Sequence, residues 1–189
     1  MSIQAENHLT QDQLRRLFKA AKAGSRRDHA IFLIAYRHGL RASEVGLLTK
    51  DDLDFHQARI TIHRVKGSYG GKHPLRPDEI KALRSYLRTR DDELPYLFTS
   101  NRKTPIARNT LHMLMKKYGE AADIPPEKRH LHVLKHSIAV HMLEGRADIV
   151  DVKDWLGHQN IQNTMEYARI TNPRREAVHQ QVVRSGKVV

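Results

Sequence analysis

"HLHVLKHSIAVHMLEG", residues 130–145, holds four of the thirteen histidines in this 189-residue chain. The stretch predicts a helix over 132–144 that stops at Gly145. His132 and His136 lie four apart and share a helix face, with Lys135 between them. Three readings compete. A histidine pair at this spacing is one way to hold zinc, but no carboxylate separates the two rings, and Lys135 would set a positive charge beside the metal. A helix with one buried face and a few surface histidines is the plain structural alternative. In the third reading an anion is held. His132 and Lys135 are three apart and point the same way, and free backbone N–H groups at a helix start favour a phosphate.

The charge of the chain bears on that choice. It has 33 Lys and Arg against 21 Asp and Glu, a formal net charge of +12, within an ordinary 39% hydrophobic composition. Such an excess points to a polyanionic partner, most often nucleic acid. The absence of cysteine excludes disulfides, thiolate nucleophiles and cysteine-ligated zinc. The run "AIFLIAY", 30–36, is too short to span a bilayer. "MSIQAENHLTQDQL" has no apolar signal-peptide core, so the expectation is a cytoplasmic protein with no membrane partner.

The elements around the opening stretch are mostly helical. Thr10 with Gln13 reads as a capping box, and Leu9 with Leu14 as a hydrophobic staple. Leu14, Leu17, Phe18 and Ala21 continue as a helical stripe. Helices are predicted over 26–38, 42–48 with Ser43 near the cap, from Pro77 through Leu87, 108–121, "IVDVKDWL" capped by Asp148 and stopped by Gly157, 162–169 and 173–184. "ARITIHRV", 58–65, alternates as a strand does; "KGSYGG" is a turn and "KHPL" a returning strand. The expected class is mainly α with a small antiparallel β hairpin, in one domain with no internal repeat.

Three further places share the chemistry of the opening stretch. "HGLRASEV", 38–45, sets Arg41 in a glycine-preceded turn that opens a helix, with Glu44 three residues on; a surface ion pair is the plain alternative. Lys66 sits at the hairpin tip, where most lysines are simply solvated. "LGHQNIQNTMEYARI", 156–170, sets His158 after a helix-ending glycine and Tyr167 nine residues later; a lone tyrosine is more often a packing residue.

Together, "GLRASE", "RVKGS", "HVLKH", "LGH" and Tyr167 resemble, in order and spacing, the boxes of the tyrosine recombinase (phage integrase) family. The resemblance covers residues 8–170. The run from "GLRASEV" to "HPL" is most similar to the short recombinases that invert fimbrial promoter switches. Those also lack an N-terminal core-binding domain, and the expectation is one catalytic domain over 1–189 with a C-terminal tail at 171–189.

The resemblance implies the integrase catalytic fold and a site-specific recombinase acting on double-stranded DNA without metal, ATP or other cofactor. Tyr167 would be the nucleophile, forming a 3′-phosphotyrosyl link. Arg41 would grip the phosphate, His132 and His158 would donate to it, Lys66 would be the general acid, and Glu44 would orient its neighbours. His136 is left a packing role and His141 none. Lys135 departs from the family, which has Arg there. The missing second hydrogen bond is worth roughly 1.5–3 kcal/mol, or about 10- to 150-fold in rate. The alternative is a DNA-binding regulator of the same fold with weakened cleavage; a type IB topoisomerase and a histidine metalloenzyme are the other rivals. The resemblance also implies a tetramer on two DNA sites, with the tail docking in trans, a monomer when free, help from host DNA-bending proteins, and association with the nucleoid.

Overall fold

The computed structural model describes residues 7–65, 68–170 and 183–184. Its elements run in chain order as α1 (Gln11–Gly24), α2 (Arg26–Arg37), α3 (Ala42–Leu47), β1 (Leu53–Asp54), β2 (Arg59–Ile62), β3 (Gly71–Pro74), α4 (Pro77–Leu87), α5 (Arg108–Ala121), α6 (His132–Glu144), α7 (Ile149–Leu156) and α8 (Gln162–Ile170), with 3-10 turns at Lys50–Asp52 and Pro126–Lys128. Helices therefore dominate, as the periodicity predicts. The sheet differs by one strand: it is antiparallel in the order β1-β2-β3, with Ile60 opposite both Leu53 and His73. A two-residue strand carries too little alternation to be seen in sequence.

α2 is the centre of the fold. Ala30, Ile31, Phe32, Leu33, Ile34 and Ala35 are all buried, because α1, α4 and α6 pack around it on different sides. A helix apolar on every side belongs inside a core. Ser25 joins α1 to α2 without a loop: its N–H donates to the Ala21 carbonyl, and its Oγ accepts from the Asp28 N–H. Asp28 is itself buried and accepts from the Tyr118 hydroxyl at 2.9 Å, which ties α5 to α2. The Thr10 capping box is present in full. Leu9, just before it, is buried and donates its N–H to Ser137 Oγ at 2.8 Å, fastening the start of the chain to α6.

Two apolar clusters result. The larger joins α1, α2, α4, α5, the sheet and the first residues of α6. The smaller lies between α6, α7 and α8 and contains Ala139, Val140, Leu143, Val152, Leu156 and Tyr167. α6 belongs to both, so the opening stretch of sequence forms the wall between them.

Two glycine turns bring distant segments against each other. Gly39 ends α2 at φ +58°, where an added Cβ would lie 2.6 Å from Leu156 Cδ2. Gly157 ends α7 at φ +68°, where an added Cβ would collide with the Tyr69 carbonyl oxygen. The Tyr69 N–H donates to the Gly157 carbonyl at 3.1 Å, so the segment after the hairpin tip lies on the end of α7. Gly157→Ala is expected to lose at least ~2 kcal/mol, from left-handed backbone strain and from displacement of residues 68–70. The denaturant midpoint measures this; an unchanged midpoint would show that the two segments do not touch.

Candidate active site

α3 starts at the residue after Arg41, and Glu44 closes its first turn. Glu44 Oε2 accepts from the Arg41 N–H at 2.8 Å and Oε1 from Arg41 Nη1 at 2.7 Å. Arg41 is thus the cap residue, where the sequence placed Ser43 near that position. A second oxygen, Ser68 Oγ, receives Arg41 Nη1 at 3.2 Å. The Arg41 side chain keeps 28% of its surface open, so a ligand can reach it.

Glu44 is only 1% exposed. It also accepts from Arg64 Nη1 at 3.0 Å and from the Val65 N–H at 3.4 Å. Burial alone would raise its carboxyl pKa. The Arg41 N–H, the Arg64 charge, the Arg41 side chain and the Lys135 charge outweigh burial and hold it below the usual carboxylate value.

Lys135 is 1% exposed on α6. Its Nζ donates to the Leu156 carbonyl at 3.1 Å. Burial, then the Arg64 and Arg41 charges, push its pKa down to about 7, with Glu44 opposing. The expectation that His132 and Lys135 face one way needs correction. His132 is exposed, while Lys135 is drawn inward to α7. At three residues' spacing the lysine stem is long enough to fold under the helix.

His158 is buried, and its Nδ1 is 2.9 Å from the fully buried Thr164 hydroxyl. Burial, then Lys135, Arg41 and Arg64, lower its pKa to about 4. His132 is also lowered, by desolvation and then by Lys135, His130 and Arg41. Tyr167 is 5% exposed in the smaller apolar cluster. Its ring stacks on His158 at 6.5 Å and 16°, and tilts against His136 at 5.5 Å. Burial, then the Glu166 charge, raise the phenol to about 12, with Arg41 opposing.

The charge of Arg41 therefore reaches His132, Lys135, His158 and Tyr167, and that of Lys135 reaches both histidines. Lys66 and the tail at 171–182 and 185–189 lie outside the described residues. His136 touches more than the packing role implies, since its ring edges His132 at 4.4 Å as well as Tyr167. Among the described residues, no three or more His, Cys, Asp or Glu side chains are grouped to hold a metal ion. No helix among them is long and apolar enough to cross a membrane.

Sequence reasoning missed Arg64, Ser68 and Thr164. It also missed the support below them. The Trp155 indole N–H donates to the Arg37 carbonyl at 2.8 Å, and its ring lies over His38 and His73. His38 Nε2 pairs with buried Glu79 at 2.9 Å. Arg64 carried a signal: strand alternation sets it on the same side as Ile60 and Ile62, which is the buried side.

The chain is similar to known proteins. The model described as "Phage integrase family" matches residues 7–174. Tyrosine recombinase XerA of Thermococcus onnurineus is 36% identical over 166 residues, 86% of this chain and 58% of that protein. The chain thus spans well under two thirds of that relative's length. Type 1 fimbriae regulatory protein FimE of Escherichia coli is 33% identical over 168 residues, 85% of this chain and 84% of that one. The crystal structure of XerA recombinase superposes with TM-score 0.76 at 28% identity, over 94% of this chain and 62% of that one.

Two stability predictions follow from the charges. Glu44→Gln leaves Arg41 and Arg64 without their anion and is expected to cost roughly 3–5 kcal/mol. Because the folded Glu44 pKa is depressed from 4.5, its contribution is complete above that value and is lost as pH falls through the folded one. Acid denaturation of the variant should therefore lack that component; an identical acid profile would contradict this. For Lys135 the folded state holds fewer protons than the unfolded state between about 7 and 10.5, so its burial penalty is full below that window and fades as pH rises through it. Lys135→Met is expected to stabilise the free protein by roughly 1–4 kcal/mol at pH 6, and by less at pH 10. A destabilised variant at pH 6 would contradict the assignment.

Proposed function

Because the chain belongs to the phage integrase family, we propose that it breaks and rejoins double-stranded DNA at specific sites through a 3′-phosphotyrosyl intermediate. The observation that carries this reading is that Arg41, His132 and Lys135 act on His158, whose ring stacks on Tyr167. Three buried or half-buried cations face a single carboxylate there, and the surplus positive charge fits one phosphodiester.

In the proposed reaction Tyr167 Oη attacks phosphorus. The phosphorus–O5′ bond breaks, the 3′ phosphate stays on the tyrosine, and the leaving 5′ oxygen takes a proton from Lys66. Rejoining is the reverse, with a 5′-hydroxyl as the attacking group. The bond energy is kept in the phosphotyrosine, so no ATP is consumed. Arg41 holds two phosphate oxygens as charge grows on them. Its orientation is already set by Glu44 and Ser68, so little reorganisation is needed.

The lowered histidines suit proton handling. Burial and the surrounding cations keep His158 neutral at pH 7. With the Thr164 hydroxyl donating to Nδ1, Nε2–H remains to donate to the phosphate. One of the two histidines, His132 or His158, takes the phenol's proton; the His158 ring already stacks on Tyr167. Lys135 gives up the Leu156 carbonyl and turns to the phosphate, whose charge raises its pKa and keeps it protonated.

The partner is double-stranded DNA, engaged first through the net charge of +12. Four copies on two DNA sites form the working assembly, joined by the tail at 171–189 docking in trans. The free chain is a monomer, host DNA-bending proteins assist, and the place of action is the nucleoid in the cytoplasm.

Nicked double-stranded DNA that releases its downstream fragment after cleavage traps the intermediate. The unchanged protein is expected to form a covalent adduct in chelator and without ATP, and Tyr167→Phe none. Lys135→Arg, with its planar fork, should form it about 10- to 150-fold faster. If neither the unchanged protein nor Lys135→Arg forms an adduct, the reading fails and a DNA-binding regulator replaces it. Relaxation of supercoils without exchange between paired sites would instead indicate a type IB topoisomerase.

A further inference from the structure

Arg64 lies just beyond β2, two residues before Lys66 in the chain. Its side chain is 1% exposed. All four terminal N–H groups have acceptors. Nη1 donates to the Gly39 carbonyl at 2.8 Å and to Glu44 Oε2 at 3.0 Å. Nη2 donates to the His38 carbonyl at 2.7 Å and the Trp155 carbonyl at 2.8 Å. The acceptors belong to different segments. His38 and Gly39 end α2, and Gly39 is two residues before Arg41. Glu44 lies on α3, which Arg41 caps. Trp155 is in the last turn of α7, three residues before His158. Gly157, between them, packs so close that an added Cβ would lie 3.2 Å from Arg64 Cγ and Nε.

We infer that Arg64 is a positioning residue for strand cleavage: its guanidinium fixes the relative placement of the segments that bear Arg41 and His158, without touching DNA. The inference rests on the proposed cleavage reaction. Burial keeps Arg64 from a phosphate, unlike partly exposed Arg41: its four terminal N–H groups are taken, and Nε–H, which has no partner, is buried against Gly157. A planar fork is required, because the four acceptors lie in two directions from two nitrogens. An ammonium is a point charge on a flexible stem and cannot hold all four in fixed relation. The same guanidinium also places a permanent charge beside Lys135 and His158. Backbone carbonyls, rather than side chains, take three of the four bonds, so the clamp acts on main-chain position. A misplacement near 1 Å at a reacting group costs on the order of 100-fold in rate.

Arg64→Lys, which keeps the charge and loses the fork, and Arg64→Met, which keeps the stem and loses the charge, test this. Both are assayed beside the unchanged full chain, well below each variant's own melting midpoint. Equilibrium affinity for an intact site DNA and the single-turnover rate of adduct formation on nicked DNA are measured. Both variants should bind within about threefold of the unchanged chain and form adduct on the order of 100-fold more slowly. A purely structural role would lower binding and cleavage together, and that result would overturn the inference. So would cleavage by Arg64→Lys within threefold of the unchanged rate. Loss of a cooperative unfolding transition in both variants would assign Arg64 to stability alone. No adduct from the unchanged chain would sink the cleavage reading itself, and the positioning role with it.

Discussion

Glu44 is a carboxylate with almost no water around it, and it is held ionised by nitrogens from both sides of the site. Arg41 supplies a backbone and a side-chain donor, Arg64 a third, and Val65 a fourth. A buried charge without partners would cost several kcal/mol, so these groups must assemble around Glu44 or the fold fails locally. That requirement makes the turn after α2, the helix α3 and the chain beyond β2 one unit. Through the Arg64 bonds to His38, Gly39 and Trp155 the unit extends to α7.

The balance around Glu44 is uneven. One carboxylate faces Arg41, Arg64 and Lys135. Burial first, and this excess after it, depress Lys135, His132 and His158 together. Groups perturbed in the same direction, in one place, support the proposed phosphate site. Stability is given up to keep that place open, a common cost of a preorganised centre. Tyr167 moves the other way: burial in the smaller apolar cluster and then the Glu166 charge raise it, against Arg41, and the free phenol stays protonated.

Much of this was legible in the sequence, through particular devices. Thr10 with Gln13, Asp148 and Gly157 announced helix ends by local chemistry, and the structure has each of them. The five boxes marked the family because their residue types and spacing are specific. What could not be read was the direction of side chains. Lys135 shares a helix face with His132 by spacing, yet its long stem carries Nζ to the Leu156 carbonyl on another helix. Arg64 alternates with Ile60 and Ile62 on the buried side, but its partners, three carbonyls and Glu44, come from other segments. β1 went unseen for the same reason: its pairing depends on Ile60 across the sheet and not on its own two residues.

A phosphate arriving at this surplus of charge must change the state of Lys135 more than that of any other group. The direct measurement is the pH titration of the Lys135 Nζ resonance by NMR, in the free protein and in Tyr167→Phe bound to nicked site DNA. The account predicts a midpoint near 7 in the free protein and a midpoint raised by one unit or more with DNA, as the phosphate replaces the Leu156 carbonyl. A free-protein midpoint near the ordinary lysine value, or a midpoint that DNA leaves unmoved, would contradict it.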